Sequence, residues 1–367
     1  MPITDDIFKK NLTLNLFICS ALSRLLIGIC ALFYGPLTDS TIIPLTEAMA
    51  HFDSGWYQAI AEHGYPAQAH GRWAFFPLFP LLTRLLPLSF TASALIFNTI
   101  FFFISVQLLY RLITLRADNE AAAMGTLLFI FSPYSFYLSA PYSEALYICL
   151  SLLVFYFAAQ KKWLWALVFA PFLSASRNSG VFMVFPLGLL ALEQYGLKAI
   201  FSFKKRTLPA WFTLLILPAG LFIYMRAAYI STGDAFIFAT VQSYWNKLSL
   251  SEGLRVFIPN LLSPKNIKEL YHSLFVWLGL FFTVFLVKKG RYSEAVWLLL
   301  SYMFASVTGT FSSMARYVMM GSFSLYLAFG LFMHYKFLKP WFILVVGSFA
   351  LMLGFFTSMW IGGFNLA

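Results

Sequence analysis

Long apolar runs recur along this chain with only short polar breaks between them, and that pattern leaves few folds open. A run of about 20 apolar residues is long enough to cross a ~30 Å hydrocarbon core as a helix. Runs that follow one another this closely must satisfy their backbone hydrogen bonds internally, which favours helices throughout. Charged residues make up 11% of the 367, less than half of the ~25% usual in a soluble domain. Mean hydropathy is +0.78. The sequence therefore predicts an all-α polytopic membrane protein, a single domain over residues 1–367.

Charge placement sets the orientation. The net charge of +11 does not form a nucleic-acid patch. Most basic residues sit in short clusters between apolar runs: Lys9-Lys10, Arg111 with Arg116, Lys161-Lys162, Lys198 to Arg206, Lys288 to Arg291, and Lys336 with Lys339. Such clusters read as cytoplasmic anchors. They predict about 11 transmembrane spans near 12–34, 93–112, 120–138, 144–160, 163–176, 181–195, 208–230, 271–287, 293–311, 317–335 and 340–362. The N-terminus is then cytoplasmic and the C-terminus outside. The first run is too long for a signal-peptide core and has no small-residue cleavage site, so it reads as a retained anchor. Segments 163–176 and 181–195 are short and read as half-crossings that meet at a polar break, 174–180. Residues 73–90 hold Pro77, Pro80, Pro87 and Arg84, so they read as a re-entrant or surface segment rather than a span.

This topology gathers the unusual polar residues outside, in a first outer loop (35–92) with short amphipathic helices, a second large one (231–270), and shorter loops at 133–143, 177–180 and 312–316. They carry Asp39, Asp53, Glu62, His63, Arg72, Glu144, Arg177, Asp234, Gln242 and Arg316. A carboxylate so near a bilayer is costly unless paired, hydrated or used. No CxxC, HExxH or glycine-rich phosphate loop is present, and Cys19, Cys30 and Cys149 lie inside apolar runs. No internal repeat is visible, which weighs against inverted-repeat transporters.

Each candidate has a plain structural reading beside the chemical one. Asp53 opens an amphipathic stretch ending near His63; it suits a general base, or a helix N-cap. Glu62, nine residues on, falls on the opposite side of a straight helix and cannot pair with it. His63 precedes Gly64, a residue suited to stopping a helix. Glu144 follows Ser143, a candidate N-cap, and complements a helix dipole. Arg177, between two short apolar segments, needs an anion, either a protein carboxylate or a ligand phosphate. Arg316 could do the same or snorkel to the interface, and Arg72 could be an interfacial anchor. The Trp and Tyr residues near segment ends, Trp56, Tyr57, Tyr137, Tyr142 and Trp245 among them, fit an interfacial belt.

The order of these pieces resembles the GPI mannosyltransferase 2 (PIG-V) family and its bacterial relatives, within the GT-C superfamily of glycosyltransferases. The resemblance is carried by Asp53, then Ala61-Glu62-His63-Gly64-Tyr65, then Ala74-Phe75-Phe76-Pro77-Leu78-Phe79-Pro80. It continues through Ser132-Pro133, Tyr142-Ser143-Glu144-Ala145-Leu146, Ser176-Arg177-Asn178-Ser179-Gly180, Gly233-Asp234 with Gln242 and Trp245, and Arg316-Tyr317. One departure stands out: Phe52 occupies a place where the family usually has tryptophan.

The resemblance implies a GT-C-type bundle and an inverting sugar transfer from a polyprenyl-phosphate carrier, of undecaprenyl or dolichyl type, on the non-cytoplasmic face. Asp53 would be the base. Arg177, then Arg316 and Arg72, would hold the donor phosphate. Glu62, His63, Tyr65, Glu144, Asp234, Gln242 and Trp245 would shape the acceptor or sugar side. No cofactor and no metal are expected. The partners expected are the lipid-linked donor, membrane lipids, and an acceptor that could be a glycolipid, a protein or an envelope glycan. A bacterial inner membrane is expected, or the endoplasmic reticulum in a eukaryote. A transporter or flippase of polyprenyl-linked sugars, or an inactive subunit of the same shape, are the competing readings.

Overall fold

The computed structural model describes residues 12–37, 44–202, 204–245, 248, 250–306 and 313–365. Lys9-Lys10, Asp39 and the end of the expected 293–311 span lie outside the described residues. Among those described, every regular element is helical. Five helices are long and apolar enough to cross a membrane: Leu12–Tyr34, Phe90–Arg116, Leu208–Thr232, Ile267–Lys288 and Lys339–Ile361. A sixth crossing forms if Met314–Met320 and Ser324–Met333, bent by 73°, are counted as one. The protein is a multi-pass membrane protein.

Four other expected spans are shorter helices: Asn119–Ile130, Glu144–Ala159, Trp163–Ser176 and Val184–Tyr195. At 1.5 Å per residue, 12 to 16 residues reach about 18–24 Å, less than a ~30 Å core. Local chemistry sets their ends. Asn119–Ile130 stops just before Pro133, and Glu144–Ala159 begins after Pro141. Residues 73–90 hold a six-residue helix, Leu78–Thr83, and no crossing helix.

Of the short helices, Glu144–Ala159 is the interior one, while Trp163–Ser176 turns Leu164, Trp165, Val168 and Phe172 outward. Glu144–Ala159 is buried along most of its length and packs between Phe90–Arg116 and Trp163–Ser176. Leu12–Leu37 and Phe342–Ile361 pair at the periphery, with Phe17, Leu25, Ile343, Leu351 and Phe355 exposed on them, as lipid contact requires. Pro218 breaks the 208–232 span, and the Ser174 hydroxyl enters the gap. It donates to the Leu217 carbonyl at 2.5 Å and accepts from the Leu221 N–H at 3.2 Å. A side chain in the hydrogen-bond ladder is a recognised cause of such kinks.

One end of the bundle is tied by ion pairs. Arg116 meets Glu294 and Glu193, Arg291 donates to the Arg116 carbonyl, and Lys339 lies 2.6 Å from Glu120. These arginines and lysines belong to the clusters expected at the cytoplasmic side.

Candidate active site

At the opposite end of the short helices, four charges from distant parts of the chain converge. Arg316 Nη1 donates to Asp53 Oδ2 at 3.1 Å. Arg177 Nη1 lies 2.7 Å from Glu144 Oε1, and Arg316 Nε lies 3.5 Å from the same oxygen. Glu144 thus bridges two guanidiniums, one of which also holds Asp53. The two acids differ in access: the Asp53 side chain is 25% exposed and that of Glu144 3%. Asp53 is therefore the more accessible carboxylate, and Glu144 is buried between the two arginines.

Local structure explains each position. Asp53 stands at the N-cap of Ser54–His63, yet its side chain caps nothing. Its own N–H donates instead to the Tyr142 hydroxyl at 2.9 Å, and its carboxylate is left for Arg316. Phe52 before it has φ 48°, and Ser313, at the head of the helix carrying Arg316, has φ 66°. Left-handed backbone at non-glycine residues stores about 1–3 kcal/mol and gathers at functional sites. Glu144 and Arg177 sit at the paired ends of a helical hairpin, Glu144–Ala159 and Trp163–Ser176, whose turn holds Lys161-Lys162. Gly180 lets the chain after Arg177 fold back: a Cβ there would lie 2.3 Å from the Leu173 carbonyl.

Aromatic rings enclose the cluster. The Arg316 guanidinium lies over Tyr137, Tyr142 and Tyr317 at 5.4, 5.5 and 5.4 Å, and Arg177 lies over Tyr147 at 5.6 Å. Such contacts help hold a desolvated guanidinium. The Tyr57 hydroxyl shares a 2.7 Å hydrogen bond with Ser143 Oγ, and burial pushes its pKa above the ordinary range. A pocket opens between Glu144, Tyr147, Arg177, Ser179, Arg316 and Gly321, with the buried Tyr147 ring in its wall.

The other expected site residues are spread further out. Arg72 donates to the Gly64 carbonyl at 3.2 Å, outside the ion cluster. Glu62 is exposed and accepts from Gln58 at 2.8 Å, with His63 beside it at 4.0 Å. Tyr65 donates to the Phe75 carbonyl at 2.6 Å and stacks on Trp73. Asp234 closes its own turn, accepting from the Phe236 N–H and the Thr240 hydroxyl. Gln242 donates to the Phe238 carbonyl at 3.2 Å. Trp245 reaches the Asp53 helix through Trp56, with ring centres 6.0 Å apart. Ser143 takes the N-cap position without capping. Sequence reasoning missed Arg24, whose signal was plain: an arginine inside an uninterrupted apolar run.

The architecture resembles that of an oligosaccharyltransferase from Archaeoglobus fulgidus. The apo crystal structure aligns with a TM-score of 0.51 at 12% identity, over 98% of this chain and 57% of that one. The same enzyme in complex with Zn and sulfate aligns at 0.50 and 11%, over 93% and 53%. These likenesses show a fold shared with that membrane enzyme. Residues 7–229 match the mannosyltransferase (PIG-V) family, and the chain belongs to that family. Human GPI alpha-1,6-mannosyltransferase 2 is 33% identical over 165 residues, 40% of this chain and 32% of the human protein. The chain thus matches about a third of that relative's length. Asp53, Glu144 and Arg177 lie within the family match; Arg316 lies beyond it.

Proposed function

We propose that the protein is a membrane-embedded inverting glycosyltransferase. It takes a sugar, mannose in line with its family, from a polyprenyl-phosphate carrier and gives it to an acceptor hydroxyl on the non-cytoplasmic face. The observation that carries the reading is the Asp53 carboxylate, unused as a helix cap and fixed beside Arg316. The outward face is supported by the hairpin, which puts Glu144 and Arg177 at the end away from Lys161-Lys162.

In this reading Asp53 takes the proton of the acceptor hydroxyl as its oxygen bonds to the anomeric carbon from the face opposite the leaving group. The bond from that carbon to the phosphate oxygen breaks, and the phosphate keeps the electron pair. Arg177 and the pocket hydroxyls receive the developing charge, as fixed cations and donors do at a leaving group. Arg316 holds Asp53 in place. Trp56 and Trp245 form an apolar wall one helical turn from the base.

The test is sugar transfer from synthetic polyprenyl-phosphate mannose by purified protein in lipid nanodiscs, scoring both acceptor glycosylation and donor hydrolysis. Asp53→Asn is expected to lower turnover by on the order of 10²–10⁴ while donor binding persists. If the wild type binds donor but cleaves it with neither water nor any acceptor pool, the carrier-transport reading replaces this one.

A further inference from the structure

Arg24 lies midway along the Leu12–Leu37 helix, inside a crossing span. Among the described residues no carboxylate pairs with it. Its guanidinium sits 4.0 Å over the Phe102 ring. Nη1 donates to the Ser135 carbonyl at 2.9 Å and to Ser139 Oγ at 2.8 Å, Nη2 donates to Ser135 Oγ at 2.7 Å, and Nε lies 3.3 Å from Ser23 Oγ. A charge at this depth is expensive and is kept where it is used.

What it grips is the irregular stretch 132–143, which is tied to the reactive cluster at several points. Tyr137 and Tyr142 face the Arg316 guanidinium. The Tyr142 hydroxyl accepts from the Asp53 N–H and donates to the His51 carbonyl at 3.2 Å. Ser143 meets Tyr57. Asn98, from the Phe90–Arg116 helix, pins the same stretch through the Ala140 and Tyr142 carbonyls at 2.5 and 3.0 Å. Irregular backbone within a membrane bundle persists only where protein groups satisfy it. A planar fork satisfies one carbonyl and two hydroxyls together, which a lysine cannot.

We infer that Arg24 is a positioning residue: it fixes the Ser135–Ser139 turn so that Tyr137 and Tyr142 set Arg316 and Asp53 in register. The inference rests on the transferase reading above. It is tested with Arg24→Lys, Ser139→Ala, Tyr142→Phe and the Arg24→Lys/Tyr142→Phe double variant in nanodiscs, measuring kcat, donor KM and thermal stability. Arg24→Lys keeps the charge and loses the fork. Its kcat is expected to fall on the order of a hundredfold, with donor KM within about threefold. The double variant is expected to be little worse than the worse single, since both changes act through one link. Ser139→Ala, which keeps the arginine and removes one acceptor, is expected to show the same kcat-weighted loss on a smaller scale, and it carries the test if Arg24→Lys does not fold.

Unchanged kcat in Arg24→Lys with lowered thermal stability overturns the inference and leaves a structural arginine. So do losses that multiply in the double variant, or a defect confined to KM. A wild type that turns over no donor removes the transferase reading and this inference with it. An active wild type with an indifferent Arg24 removes the inference alone.

Discussion

Glu144→Gln is the sharpest perturbation of the charge cluster. The carboxylate is 2.7 Å from Arg177 and 3.5 Å from Arg316, with its side chain 3% exposed. At an effective dielectric of about 20 those contacts amount to roughly 6 and 5 kcal/mol of gross attraction. Most of that offsets the cost of bringing the ions out of water. Removing one partner of a buried pair leaves a net destabilisation of about 3–5 kcal/mol, because the other charge stays buried and unpaired. Arg177 would then lose its carboxylate partner, and Arg316 would keep only Asp53. The expected fall in unfolding temperature in nanodiscs is roughly 5–15 °C. The decisive comparison is the double variant Glu144→Gln/Arg177→Gln. It replaces the buried pair with two neutral amides and is expected to recover much of the loss, since removing both partners is far cheaper than removing one. The reasoning is refuted if Glu144→Gln costs less than about 1 kcal/mol, or if Arg177→Gln only adds its own loss.

Three further outcomes follow from the packing and one half-buried histidine. Gly180→Ala brings a Cβ to 2.3 Å from the Leu173 carbonyl; it should cost about 1–3 kcal/mol in thermal unfolding and displace Arg177, seen as weaker donor binding. Ser174→Ala empties the kink at Pro218 and strips the hydroxyl from the Leu217 carbonyl and the Leu221 N–H, a loss of about 1–3 kcal/mol by the same measurement. Burial lowers the His51 pKa below its ordinary 6.5. The unfolded chain therefore takes up the proton first, so the stability tied to neutral His51 is complete above that value and lost as pH falls below it. His51→Gln is expected to flatten the decline in unfolding temperature between about pH 7 and pH 5; an unchanged slope would show that other groups govern it.

Apolar patterning alone reveals the solvent the fold lives in. The closely spaced apolar runs demand helices that satisfy their own backbone. Pro77, Pro80 and Pro87 mark 73–90 as a poor crossing helix, and the structure holds only Leu78–Thr83 there. The polar break at 174–180 was legible too, because Ser-Arg-Asn-Ser-Gly between short apolar segments has no other simple use. Asp53 stood out for the same reason: a carboxylate beside a membrane segment needs a partner.

Which partner it finds is set by the packing of distant helices. Asp53 and Arg316 are 263 positions apart, and hydrophobic periodicity carries no information about which helix ends meet. The tertiary structure also showed that Asp53 does not cap its helix, since a capping and an ion-paired carboxylate look alike in sequence and differ only in where the side chain turns. The roles of Tyr137, Tyr142 and Arg24 were hidden for a related reason. A tyrosine near a span end reads as interfacial until its ring is found over a guanidinium. Arg24 gains meaning only once Ser135 and Ser139 fold down to meet it. Local chemistry in the sequence fixes which groups are too costly to leave unpaired; the packing of helices distant in sequence fixes how they are paired, because those contacts are made across space between segments that share no local pattern.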